Sequence, residues 1–131
     1  MRVLYFGGVT ANSKYKFMDL DAFKQAALRT DYTSYEDFHT GDVSARLDYA
    51  TMGLVTEATK VLDIVKKTKK NIQPLDREKV KEELGDIVWY LNLTLDELDF
   101  SFDEILQATL DKIDRKYPKD DLEKTKLIRN K

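Results

Sequence analysis

The sequence predicts an all-α protein built from four helices. Apolar residues recur at intervals of three and four through the long central segments, which is the spacing of a helix face. The two prolines, Pro74 and Pro118, lie between or after these segments. Strand-like composition is confined to residues 2–6, RVLYF. A chain of 131 residues is long enough for one domain with a real core.

The first two helices are predicted around one polar connection. The segment DLDAFKQAALRT, residues 19–30, begins with acids suited to an N-cap and continues with good helix formers. A polar loop follows, and it contains His39, the only histidine. The second helix is expected to begin near Asp42 or Ser44 and to end near Lys69, where clustered lysines favour a helix C-terminus.

The third and fourth helices are predicted on either side of a short turn. The third runs from about Asp76 to about Leu98. The fourth begins at Ser101, which forms a capping-box pattern with Glu104, and ends near residue 116. Because proline stops the last helix, residues 119–131 are expected to form a peripheral tail. We therefore predict a single helical domain over 1–131, with its core at about 19–118.

Composition excludes several functional classes. There are 22 basic and 24 acidic residues, a formal net charge of −2, which does not favour binding to nucleic acid or to an anionic membrane. No segment has the run of about 20 apolar residues that spans a membrane. The absence of cysteine excludes disulfides, thiol nucleophiles and zinc–thiolate sites. We expect a cytoplasmic protein with neither a nucleic-acid nor a membrane partner.

Acidic residues occupy inward positions on both long helices. On a helical wheel, Glu57 falls within the apolar side of the second helix. Glu83 and Asp86 fall in the gap between two apolar stripes of the third helix, with Tyr90 beside them. Burying a carboxylate costs several kcal/mol unless the group is paired, hydrogen-bonded or bound to a metal. These three acids therefore require a cation.

Two kinds of cation satisfy this requirement. Oxygen ligands suit Mg²⁺ or Mn²⁺, and the spacing of Glu83 and Asp86 lets both side chains reach one ion. Alternatively, the acids pair with an arginine or with a lysine such as Lys60 or Lys112. The residues alone leave both interpretations open.

Two further features of these helices have more than one interpretation. Trp89 and Tyr90 could stack on a nucleobase, although aromatic residues at this spacing more often belong to the core or to a dimer interface, which we favour. Gly53 and Gly85 are expected to allow close approach of neighbouring helices.

The segments GLVTEATKV and KEELGDIVWYL resemble the MazG-like, all-α nucleoside triphosphate pyrophosphohydrolases. That family carries Glu-x-x-Glu on one helix and Glu-x-x-Asp on the next. FKQAALRT and LDKIDRKYP are similar to its first and closing helices, so the resemblance covers about residues 20–118. It implies a MazG-like four-helix bundle, with Mg²⁺ (or Mn²⁺) between the second and third helices. It also implies hydrolysis of a nucleoside triphosphate to the monophosphate and pyrophosphate.

The same resemblance implies roles for individual residues. Glu57, Glu83 and Asp86 would be metal ligands, and Glu57 or Glu83 would also act as the catalytic base. Lys112 would bind phosphate, and Thr109, which replaces a usual asparagine, would lie beside the substrate.

Lys60 departs from the family pattern, because it replaces the second glutamate of the first motif. It could fill the cation site itself and pair with Glu57 and Glu83. It could instead move to the substrate's phosphates. The alternative function is therefore a catalytically weakened relative that binds a nucleotide or a protein partner.

Self-association is a further expectation. The third helix is apolar on two sides, which is more than one four-helix unit easily covers, so we predict that the bundle is completed by a homodimer or a higher homo-oligomer.

Overall fold

The computed structural model describes residues 18–31, 35, 39–71 and 73–118. These ranges contain four helices and confirm the all-α fold class. The helices are α1 (Leu20–Leu28), α2 (Ala45–Asn71), α3 (Arg77–Glu97) and α4 (Phe102–Lys116). The predicted tail at 119–131 and the segment RVLYF lie outside the described residues.

Three helices begin at side-chain caps that the sequence indicates. The Asp19 carboxylate accepts a hydrogen bond from the backbone of Ala22 at the start of α1, and Asp76 caps α3 in the same way. Ser101 and Glu104 form a reciprocal capping box at the start of α4. Because these side chains satisfy backbone N–H groups that have no partner within the helix, they fix the first turn of each helix.

The polar segment before α2 contains a short hairpin that we did not predict. Strands β1 (His39–Thr40) and β2 (Val43–Ser44) pair antiparallel. Gly41 in the turn has a φ of +60°, which glycine adopts at little cost. His39 was expected in a loop and lies instead in β1. Strands of two residues are too short to show a period-two pattern, which is why sequence reasoning missed them.

Helices α2 and α3 pack against each other, and α1 packs against α3. The Trp89 indole on α3 donates to Thr30 Oγ1 at 2.9 Å and to the carbonyl oxygen of Ala27 at 3.3 Å. Trp89 therefore fastens the end of α1, and this packing role is the one we favoured. Among the described residues, the buried apolar ones are Ala27, Ala50, Leu93, Leu95 and Phe102.

A helical wheel also puts Ala58, Val65 and Leu84 on the apolar sides of α2 and α3, but the structure exposes all three. Val65 is 46% exposed and Leu84 is 49% exposed. Val65 and Leu84 lie near the connection between α2 and α3. Helix α1 contacts Trp89, which is farther along α3, and does not cover this end. A wheel reports which side of a helix is apolar, but it does not report how far a third helix extends along it.

Helix α4 adds little to the core of one chain. Phe102 is buried at its start, whereas every residue from 106 to 116 is exposed. Exposed apolar side chains recur at helical spacing along α4 and at its C-cap: Leu106, Leu110, Ile113 and Tyr117. Within the described ranges, α4 therefore leaves an apolar face uncovered.

In these same ranges, no helix has both the length and the apolar character needed to cross a membrane.

One arginine joins the ends of three helices. The Arg46 guanidinium, at the start of α2, lies 2.9 Å from Asp31, 2.9 Å from Asp96 and 3.0 Å from Glu97. Burial lowers the pKa of Arg46, but hydrogen bonds to Glu97, Asp31 and Asp96 outweigh that effect and raise it. Ser44 also donates to Glu97. This cluster connects the chain after α1, the start of α2 and the end of α3.

Replacing Arg46 should destabilise the protein. Arg46→Ala is expected to lower the free energy of unfolding by about 2 kcal/mol, because three carboxylates lose a partly buried partner. Urea denaturation would measure the change. Arg77→Ala, at an exposed arginine of α3, is the control and should change it by less than about 0.5 kcal/mol. Equal effects of the two substitutions would contradict a bridging role for Arg46.

Candidate metal centre

The predicted acids meet where α2 packs against α3. Glu57 on α2 is 7% exposed and Glu83 on α3 is 5% exposed, so both inward placements are confirmed. Asp86, one turn after Glu83, is exposed, so its predicted inward placement was wrong. Each of the three offers a carboxylate oxygen, and these oxygens lie within 4.8 Å of one another. The spacing is small enough for all three acids to share one cation.

Two oxygens of this cluster lack hydrogen bonds. Glu57 Oε2 and Glu83 Oε2 are buried and accept none within the described structure. Buried polar atoms are normally hydrogen-bonded, and leaving one unsatisfied costs about 1–3 kcal/mol. Glu83 Oε2 is therefore available to a positively charged ligand, whereas Glu57 Oε2 already lies in an ion pair.

Lys60 provides a positive charge at this point. Its Nζ lies 2.9 Å from each carboxylate oxygen of Glu57, with a hydrogen bond to Oε1 and an ion pair to Oε2. The same Nζ lies 3.8 Å from Glu83 Oε2. The hydrogen bond to Glu57 raises the pKa of Lys60, despite the opposing effect of burial. Lys60 thus contacts acids on both helices, as one of the two interpretations anticipated.

A second lysine, Lys79, was missed by the sequence reasoning. Its Nζ lies 3.2 Å from Glu83 Oε1 and 3.2 Å from Glu82 Oε2. Burial raises the pKa of Glu83, but the hydrogen bond from Lys79 and the charge of Lys60 outweigh it, so the pKa is lowered. Glu83 is thereby held in its charged form. The spacing of four residues between Lys79 and Glu83 was the signal available in the sequence.

The other two predicted substrate residues do not join this cluster within one chain. Thr109 and Lys112 both lie on the exposed part of α4. The Thr109 hydroxyl donates to the backbone oxygen of Ile105 at 2.7 Å. Neither Thr109 nor Lys112 has a hydrogen bond or an ion pair to Glu57, Glu83 or Asp86. Their roles in substrate binding remain predictions.

Aromatic side chains border the acids. The Tyr90 ring lies over Gly53, its hydroxyl is 3.5 Å from that of Tyr49, and the two rings pack edge to face. The hydrogen bond with Tyr49, burial and the negative charges of Glu57 and Asp86 raise the pKa of Tyr90 to about 12. Tyr90 is therefore a neutral hydroxyl beside the carboxylate cluster.

Comparison with known proteins agrees with this arrangement. Residues 48–120 match the model of the MazG nucleotide pyrophosphohydrolase domain. The chain belongs to the MazG family. This MazG domain is also similar to the "Gene 37 protein" of Mycobacterium phage L5, with 32% identity over 100 residues, covering 73% of this chain and 86% of that protein. No solved structure matches the chain. The matched region contains the three clustered acids, Lys60 and Lys112.

The donors of this MazG domain suit a divalent ion. Carboxylate oxygens are the ligands that Mg²⁺ and Mn²⁺ prefer, and Glu83 Oε2 is buried without a hydrogen bond. Glu57, Glu83 and Asp86 are the residues that would hold the ion. The Lys60 ammonium stands where it would compete with that ion for Glu57 and Glu83.

Substitutions at the two helical glycines are expected to change the stability of the protein in opposite directions. A Cβ at Gly53 would overlap the Tyr90 ring, which confirms the close approach expected there. A Cβ at Gly85 would meet nothing within 4 Å, so the close approach expected at Gly85 was wrong. Gly53→Ala should lower the free energy of unfolding by about 1–2 kcal/mol through overpacking. Gly85→Ala should raise it by up to about 1 kcal/mol through helix propensity.

Urea denaturation of both variants at one protein concentration would measure these changes. A stabilising Gly53→Ala substitution would show that Tyr90 does not pack closely over that glycine.

Proposed function

We propose that this MazG domain hydrolyses a nucleoside triphosphate, ribo or deoxy, to the monophosphate and pyrophosphate with the help of Mg²⁺ or Mn²⁺. The observation that carries the proposal is the cluster of Glu57, Glu83 and Asp86, whose oxygens lie within 4.8 Å of one another. Membership of a nucleotide pyrophosphohydrolase family supports the substrate class.

The reaction sets two demands on the site. A water oxygen bonds to the α-phosphorus, the bond from that phosphorus to the oxygen shared with the β-phosphate breaks, and pyrophosphate leaves. A base must accept the proton of the water, and positive charge must offset the charge of the triphosphate. A divalent ion, when bound, would supply positive charge and favour attack by water.

The side chains of this site match those demands. Glu83 carries a buried oxygen, Oε2, that accepts no hydrogen bond, so Glu83 can act as the base. Glu57 can do so when Lys60 leaves its carboxylate. Lys79 keeps Glu83 ionised, which is the state required of a base or a metal ligand. Lys60, Lys112 and Thr109 are the proposed contacts to substrate. A nucleotide substrate is consistent with the cytoplasmic location that we expect.

A second candidate function is favoured by one contact. Because Lys60 pairs with Glu57 at 2.9 Å, it can neutralise the site without a metal. The protein would then be a catalytically weakened relative that binds a nucleotide or a protein partner.

Removing one central carboxylate tests the catalytic proposal. Glu83→Gln keeps the size of the side chain but loses its charge, so pyrophosphate release from a panel of nucleoside triphosphates with Mg²⁺ or Mn²⁺ should fall by about 100-fold or more. Glu78→Gln is the control, since Glu78 is an exposed glutamate of the same helix that pairs with Lys81, and it should retain activity.

The same assay separates the two candidate functions. Pyrophosphate release that is no greater from the wild-type protein than from Glu83→Gln would overturn catalysis. Thermal stabilisation by a nucleotide, without turnover, would then favour the binding function, because a ligand that binds only the folded state raises the melting temperature.

We also propose that the uncovered apolar face of α4 is buried in a homodimer or a higher homo-oligomer. Leu110, which is 54% exposed, lies in this face, and Leu110→Asp should convert the assembly to monomers because it would bury an unpaired charge. Light scattering during gel filtration would measure the mass. Leu75→Asp, at a leucine outside α4 that is 41% exposed, should leave the mass unchanged. A wild-type monomer at micromolar concentration would refute self-association.

A further inference from the structure

We propose that Lys60 is an exchangeable counter-ion of the carboxylate cluster. In the metal-free protein its ammonium group bridges Glu57 and Glu83, and it moves to the phosphates of the substrate when a divalent ion takes its place. This inference rests on the proposed metal centre, but it concerns a residue that departs from the family motif.

The first step of the argument is the position of the ammonium group. Lys60 Nζ is 2.9 Å from both oxygens of Glu57 on its own helix and 3.8 Å from Glu83 Oε2 on the facing helix. The latter oxygen is buried and accepts no hydrogen bond. A single positive charge thus stands between two helices, at the oxygens that a metal ion would use.

The second step is the contrast between the lysine and the acids. The Lys60 side chain is 49% exposed, whereas the side chains of Glu57 and Glu83 are 9% and 6% exposed. A lysine carries a strongly hydrated charge on a flexible stem, so its ammonium can return to water at little cost. The buried carboxylates lack that freedom. The cluster therefore has two ligands fixed by burial, Glu57 and Glu83, and a movable cation.

The third step separates the two lysines of the site. Lys79 contacts Oε1 of Glu83 and also contacts Glu82, both on its own helix. Lys60 approaches the other oxygen, Oε2. Lys79 can therefore keep orienting Glu83 while a metal ion replaces Lys60. Only one of the two ammonium groups needs to move.

The fourth step concerns charge. A divalent ion bound at the oxygens of Glu57 and Glu83 would lie beside the Lys60 ammonium group. Two cations at one position repel each other, so binding of the ion favours departure of Lys60. The displaced ammonium would remain attached to α2 one turn from Glu57, and a triphosphate bound there would offer it the nearest anionic partner.

Binding measurements with two probes test the exchange. Lys60→Met removes the ammonium and keeps much of the apolar stem. Lys67→Met is the matched control, because Lys67 forms an exposed pair with Asp63 on the same helix, at 2.7 Å. The dissociation constant for Mn²⁺ would be measured by electron paramagnetic resonance of the free ion. Binding of inorganic tripolyphosphate in excess Mn²⁺ would be measured by calorimetry.

The proposal expects shifts in opposite directions. Lys60→Met should bind Mn²⁺ about tenfold more tightly, since a competing charge is gone, and tripolyphosphate about tenfold more weakly, since a phosphate contact is lost. Lys67→Met should change neither constant. Lys60→Gln, which keeps a hydrogen-bond donor for Glu57, should shift both constants in the same directions and serves if Lys60→Met does not fold.

Three results would overturn the exchange. Unchanged or weaker Mn²⁺ binding by the Lys60 variants would show that Lys60 does not occupy the ion's position. Tighter binding of both probes would show that Lys60 only blocks the site. Absence of Mn²⁺ binding to every form would remove the metal centre altogether.

These results are independent of turnover. Opposite shifts without pyrophosphate release would uphold the exchange and reject catalysis. Release that depends on Glu83, without the shifts, would do the reverse.

Discussion

The centre of this protein depends on two carboxylates buried at the interface between two helices. Glu57 and Glu83 lie where leucines would pack without electrostatic cost, and each acid on its own would oppose the association of α2 with α3. The helices can keep these residues only with positive charge between them. Lys60 and Lys79 supply that charge in the chain itself, so the fold and the candidate site share one electrostatic requirement.

That requirement explains an unusual division of roles among the charged residues. Glu57 and Glu83 are buried and fixed, while the lysines that neutralise them are about half exposed, at 49% and 52%. If the cluster served stability alone, we would expect the acids to have a buried partner with fixed geometry. Arg46, which joins the helix ends, is a partner of that kind. The carboxylate cluster instead combines rigid acceptors with cations that water can reach. Such a site can bind and release a charged ligand without disturbing the surrounding helices.

The sequence was informative where a signal was local and strong. Caps at Asp76 and Ser101 located the starts of two helices, and the wheel placed Glu57 and Glu83 inward because apolar neighbours surround them on their own helices. Contacts between distant parts of the chain were harder to predict from the sequence. The bridges from Arg46 to Asp31, Asp96 and Glu97 leave no periodic pattern, and the exposure of Leu84 depends on where another helix ends. The sequence indicated which residues face inward better than it indicated what each one meets.

The packing of Tyr90 over Gly53 has a consequence for the geometry of the centre. Gly53 precedes Glu57 by one helical turn, and Tyr90 follows Glu83 by two turns. The Tyr90 ring occupies the space that a side chain at position 53 would fill. If α3 slid along α2, the ring would meet the bulkier neighbours of Gly53, so this packing opposes sliding. The longitudinal register of the two helices, and hence the alignment of the carboxylates across their interface, is thus set in part by a residue with no side chain.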